Sequence, residues 1–138
     1  MEYTKDKSSQ ISFSLHDSKI TKMIATDTDI TLEISNIHKY KNGKEKLCTG
    51  IIKFTNVDYD ESVIIVFNNL DDGRPTNKSL SINEYIKEYP NAEFEIFEEA
   101  CHGTTTIYQG RLWKTDSDYT SAFMIIHSIG NTIFTSTI

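Results

Sequence analysis

Arginine is nearly absent from this 138-residue chain, with Arg74 and Arg111 the two examples, and the formal net charge is −6. A surface so poor in the side chain that grips phosphate, and acidic in balance, lacks the footprint of a nucleic-acid-binding protein. Cysteine is as scarce. Cys48 and Cys101 are too few for a disulfide framework. The polar start from Met1 to Gln10 has no apolar core for export, so both thiols are expected reduced and buried in a cytoplasmic protein. No apolar run approaches membrane-spanning length, which predicts no membrane partner. Leucine is outnumbered 6 to 19 by isoleucine, which weighs against a helical protein because β-branched side chains lose rotamer freedom in a helix.

What the chain has is 19 Ile and 16 Thr, side chains that pack well on a pleated surface. Ile30, Leu32 and Ile34 alternate with Thr31, Glu33 and Ser35, the period-two pattern of a strand with one wet face. Ile11 to Leu15, Lys19 to Ala25, Leu47 to Phe54, Ser62 to Phe67, Ala92 to Glu98, Thr104 to Trp113, Tyr119 to Ser128 and Thr132 to Ile138 read as further strands. Lys39 to Lys46 reads as a solvated loop, and Asn56 to Glu61 as a turn between two strands. Val63 to Phe67 is apolar on both parities and calls for cover on both sides. The spacing predicts one helix over 82–89 to supply it. Ile82, Tyr85, Ile86 and Tyr89 share a face there, Ser81 and Glu84 match a capping box, and Pro90 ends the run.

These signals predict an antiparallel β-sandwich or open barrel of about nine strands with one short helix. A single domain over 11–138 would follow a disordered segment over 1–10, and no repeat or linker divides it. The last twenty residues carry no formal charge apart from the titratable His127. Gly130-Asn131 between two apolar runs reads as a tight hairpin turn. A strand over 132–138 without lysine, proline or inward charge has none of the devices that guard a sheet edge, so it must be central or paired with a second copy in a homodimer.

The residues that carry chemistry are scattered. His16-Asp17-Ser18 has the residue types of a hydrolase triad, but neighbours on a strand point to alternate faces. Cys101-His102 sits beside Glu98 and Glu99, which oppose a thiolate. His16, His38, His102 and His127 have no metal-ligand spacing, and Asp58 to Glu61 lacks the glycine of a calcium loop. No catalytic residue, metal site or cofactor is expected. Two binding features remain. Asp58, Asp60 and Glu61, with Glu93, Glu95 and Glu98, offer an acidic face for a basic partner protein. Trp113 with Tyr108 and Tyr119 offers an aromatic platform for a small ligand or a sugar ring. Charge supports the first: residues 1–53 balance at +2 and residues 54–138 at −8.

The His16-Asp17-Ser18 element, the succession of strands, and the run Leu80 to Pro90 leading into a Glu-rich strand resemble small bacterial all-β domains, among them immunity-like proteins encoded beside toxins. The resemblance implies a β fold and a protein partner and carries over no catalytic residue. The sequence thus reads as a non-enzymatic, cytoplasmic, protein-binding β-domain with an acidic face. A carbohydrate-binding β-sandwich is the alternative, and a metal-dependent enzyme comes third.

Overall fold

A computed structural model of the chain describes residues 2–5, 13–41, 44–68 and 76–136. In chain order it comprises β1 (Glu2–Lys5), β2 (Phe13–Ser14), β3 (Lys19–Ala25), β4 (Ile30–Lys41), β5 (Lys44–Phe54), β6 (Val63–Asn68), β7 (Thr76–Leu80), α1 (Ile82–Glu88), β8 (Glu93–His102), β9 (Thr105–Trp113), β10 (Tyr119–His127) and β11 (Thr132–Ser136). The strands form one sheet in the order β1-β11-β5-β4-β3-β8-β9-β10-β6-β7, with β2 paired to β4. The order is a path with two ends, so the sheet stays open and does not close into a barrel. Ile30, Leu32, Phe54 and Phe134 from one half share a single core with Ile64, Phe94, Tyr108 and Met124 from the other, and the sheet must curl around them.

The halves are β1 to β5 with β11, and β6 to β10. Along the sheet they are joined where Lys19 and Ile20 pair with Glu95 and Phe94. They are joined as well by α1, which packs on β3, and by two chain crossings, β5 to β6 and β10 to β11, which bind each other. Val57 bridges Ser128. The Thr55 N–H donates to the Asn131 carbonyl at 3.1 Å, and the Gly130 N–H donates back to the Thr55 carbonyl at 3.0 Å. The Ser128 hydroxyl adds a bond to that carbonyl at 2.5 Å.

Four expectations are corrected by this pairing. Gly130-Asn131 turns no hairpin, because β10 pairs with β9 and β6 while β11 pairs with β5 and β1. The glycine is there for contact: a Cβ on it would stand 2.2 Å from Thr55 Oγ1. Asn56 to Glu61 likewise links strands that do not pair. Lys39 to Lys46 is no free loop, since β4 and β5 continue in register to Lys41 and Lys44, with Asn42 and Gly43 outside the described residues. Within the segment read as disordered, Glu2 to Lys5 form β1 and cover β11, so the C-terminal strand is interior to the sheet. β7 is a polar strand whose only apolar member is Leu80, so it carries no period-two signal in the sequence.

The helix falls where its capping signals put it, with Tyr89 as its C-cap. Ser81 Oγ accepts from the Glu84 N–H at 3.2 Å, and the Glu84 carboxylate accepts from the Ser81 N–H at 3.1 Å. Ile82 and Tyr85 are buried, in the same core as Ile64 and Val66. Because α1 packs on β3, β6 and β7 from the core side, it does not cover the outward Val63, Ile65 and Phe67, which stay half-buried.

Two tests follow from these contacts. Gly130→Ala should cost about 1–3 kcal/mol in urea unfolding, as overpacked sites do. Adding Thr55→Ala, which removes the nearest clashing atom, should make the pair less than additive. The Ser81 N–H and hydroxyl hold the Glu84 carboxyl below its usual range. A lowered carboxyl stabilises the fold above its unfolded pKa, and that stability is lost as pH falls through the folded value. Thermal melts of Glu84→Gln should therefore differ from the parent at neutral pH and converge with it in acid.

Candidate functional site

The outward face of β8, β9 and β10 collects the aromatic and charged side chains that the core rejects. In-register pairing aligns Glu93 with Trp113 and Trp113 with Tyr119, and places Glu95 opposite Arg111. Gly110 lets β8 and β9 approach here, since a Cβ on it would meet the Glu95 carbonyl oxygen at 1.8 Å. The Arg111 guanidinium lies 4.9 Å from the centroid of the Phe97 ring and 4.5 Å from that of Tyr119. Tyr119 in turn stacks on Trp113, centroids 4.7 Å apart at 47°. The indole Nε1–H donates to Glu95 Oε1 at 3.1 Å, which fixes the ring. Farther along, Phe123 meets Phe67 edge to face at 5.5 Å. The result is a row of rings, half-buried except for the exposed Tyr119, ordered by one stacked arginine on the side of the sheet away from α1.

Between Ile96 and Glu98 the register shifts, and beyond the bulge the parity of β8 reverses. Glu99 there hydrogen-bonds the fully buried Tyr108, whose phenol is pushed well above its ordinary pKa by burial, with the Glu99 charge adding to the effect. Tyr108, at 1% exposure, faces the core. It therefore stands on the opposite face from Trp113 and Tyr119 and is no part of their platform.

The acidic residues separate into two places. Glu93 pairs with Lys19 at 3.7 Å, Glu95 holds Trp113, and Glu98 is exposed opposite Gln109. Asp58 instead caps its own turn, its Oδ1 accepting from the N–H groups of Asp60 at 3.2 Å and Glu61 at 3.4 Å. The Asp58 N–H donates to the carbonyl of His127 at 2.8 Å. His127 ends β10 and Tyr119 begins it, eight steps away, so the Asp58 turn lies roughly 26 Å along the strand from Glu93 and roughly half that from Glu98, which is level with Phe123. They do not make one face.

The scattered candidates form no shared site, although His16 Nε2 lies 3.4 Å from Asp17 Oδ2. Ser18 is buried and donates to the Asn36 carbonyl at 3.1 Å, while Asp17 takes a positive φ of 65° in the preceding turn. His16 Nδ1 meets the Phe97 carbonyl, His38 meets Glu45, and His127 meets Thr104 and Thr105. Among the described residues no three His, Cys, Asp or Glu side chains converge on a metal-sized site. Cys48 is buried as expected, but Cys101, next to the last residue of β8, is exposed.

Beside Trp113, where β3, β8 and β9 end together, the surface sinks into a cleft of about 320 Å³. Trp113 forms one wall. Lys19, Asn91, Glu93 and the Lys114-Thr115-Asp116 turn form the rest. Of these, the sequence reading singled out Trp113 and Glu93. The polar run between Trp113 and Tyr119 was the available signal, since loops at sheet ends commonly carry binding groups. No protein-family model, curated protein or solved structure matches the chain significantly.

Arg111→Ala tests the cluster. It removes one cation stacked on two rings, and the loss in urea unfolding should be about 1–2 kcal/mol. Trp113 emission should shift to the red as Tyr119 loosens.

Proposed function

We propose that this is a non-enzymatic binding domain that docks a protein with a basic surface on the outward face of β8 to β10. The supporting observation is the Phe97–Arg111–Tyr119–Trp113 row with carboxylates along its edge. Tyr, Trp and Arg are the side chains that dominate interface energetics, and they act best as pre-ordered anchors ringed by polar groups. Glu95 and the exposed Glu98 supply negative charge on β8, and Phe123 with Phe67 extends the apolar surface beyond Tyr119. The balance of −8 over residues 54–138 favours a cationic partner through encounter rate and specificity. A cytoplasmic, immunity-like inhibitor of a basic toxin is the form this function takes in our proposal, in line with the resemblance carried by His16 to Ser18 and Leu80 to Pro90. The Asp58 to Glu61 turn lies outside the docking face.

A random peptide library displayed on phage supplies the probe. Selected peptides should carry Lys or Arg beside an apolar residue, and should perturb the amide resonances of Tyr119 to Phe123. Tyr119→Ala should weaken them about tenfold or more, and Glu98→Lys should slow their association. Charge reversal at Asp60 and Glu61 should leave binding unchanged. Peptides that are acidic, or that map away from β8 to β10, would count against this reading.

A further inference from the structure

We infer that the cleft beside Trp113 is a second site, sharing Trp113 with the docking face, that binds a neutral polyhydroxylated ring, in the manner of a sugar. At about 320 Å³ it lies at the small end of ligand pockets, enough for one ring rather than an extended molecule. The Trp113 wall is already oriented, because Glu95 holds its Nε1–H and Tyr119 stacks on it. A ring bearing C–H groups on one face gains apolar contact there with little ordering cost.

The Lys114-Thr115-Asp116 side of the cleft is ordered as well. Thr115 Oγ1 accepts from the N–H groups of Ser117 at 3.3 Å and Asp118 at 3.1 Å, and the Lys114 N–H donates to the Asp118 carbonyl at 2.8 Å. That wall offers donors and acceptors in balance. Asn91 can do both, Thr115 Oγ1 can still donate although its two lone pairs are taken, and the two lysines are matched by two carboxylates, with Lys19 and Glu93 already 3.7 Å apart. An anionic ligand would meet Glu93 and Asp116, and a cationic one would meet Lys19 and Lys114. A hydroxyl both donates and accepts, so a ring of hydroxyls suits such a mixed wall where a net charge does not.

The single tryptophan makes the site directly observable, since all indole emission arises from this wall. The parent protein is titrated with a panel of neutral monosaccharides and disaccharides, their phosphate esters and the corresponding amino sugars. Emission and the indole N–H proton resonance are followed together. At least one neutral sugar should give a saturable change in one of the two signals. The charged analogue of that sugar should bind at least tenfold more weakly. Asn91→Ala and Thr115→Val, which keep the tryptophan, should each weaken it several-fold with far-ultraviolet circular dichroism unchanged, while Asp60→Lys has no effect. Silence of both signals to every neutral sugar up to the solubility limit would overturn the proposal. So would tighter binding of a phosphate ester or an amino sugar, or saturable binding that both cleft variants leave intact.

Discussion

The backbone around Thr55 is the point on which this fold turns. Along the sheet its halves meet in a short stretch, where β3 pairs with β8 and backbone bonds link Asp17 and Ser18 to Ile96. What draws the other side together is the mutual hydrogen bonding of the two crossings. The Thr55 carbonyl alone receives bonds from the Gly130 amide and the Ser128 hydroxyl. Those polar groups would otherwise be left without partners where the crossings press together, which carries a free-energy cost of about 1–3 kcal/mol per group. The seam therefore closes or opens as a unit. Only a residue without a side chain fits beneath Thr55, so one glycine contact stands behind the shape of the whole core.

The strand segments were legible in the sequence because one face of each is buried. Ile30, Leu32 and Ile34 face the core as their alternation requires. The helix was legible because Ser81 and Glu84 satisfy each other locally, without help from the rest of the chain. What could not be read was pairing. A Gly-Asn step looks the same whether it reverses the chain beside itself or carries it across the molecule. The glycine answers to Thr55, seventy-five positions away. Charge misled at Lys39 to Lys46, because a long two-stranded ribbon exposed to water tolerates lysines as readily as a loop does. β1 and β7 were invisible for a related reason. An edge strand needs few apolar residues, and polar edges are how sheets avoid sticking to one another.

The candidate site was legible by residue type and not by assembly. Trp113, Tyr119, Glu93, Glu95 and Glu98 were all singled out, yet as members of two rival ideas, and the fold places them side by side on one face. Tyr108 and the Asp58 to Glu61 turn were grouped with them by proximity in sequence or by shared charge. Strand parity sends Tyr108 inward, and strand length carries the acidic turn to the other end. Arg111 was missed as an organising residue because a lone arginine between glycine and leucine carries no pattern. Its importance lies in having a ring of Phe97 and a ring of Tyr119 on its planar group, a contact made across three strands.

The position of β11 between β1 and β5 has a kinetic meaning. Glu2 pairs with Thr135 and Phe54 pairs with Thr132, so the last strand must find partners from near the opposite end of the chain and from its middle. Such distant pairings close large loops and are slow to form. Until they form, β5 presents a bare edge with Ile51 outward and Ile52 inward, and β1 has nothing to pair with. The molecule therefore passes its most adhesive moment late, with the other half of the sheet able to fold from neighbouring strands first. While β11 is missing from its place, the bare β5 edge is open to pairing with strands of other molecules.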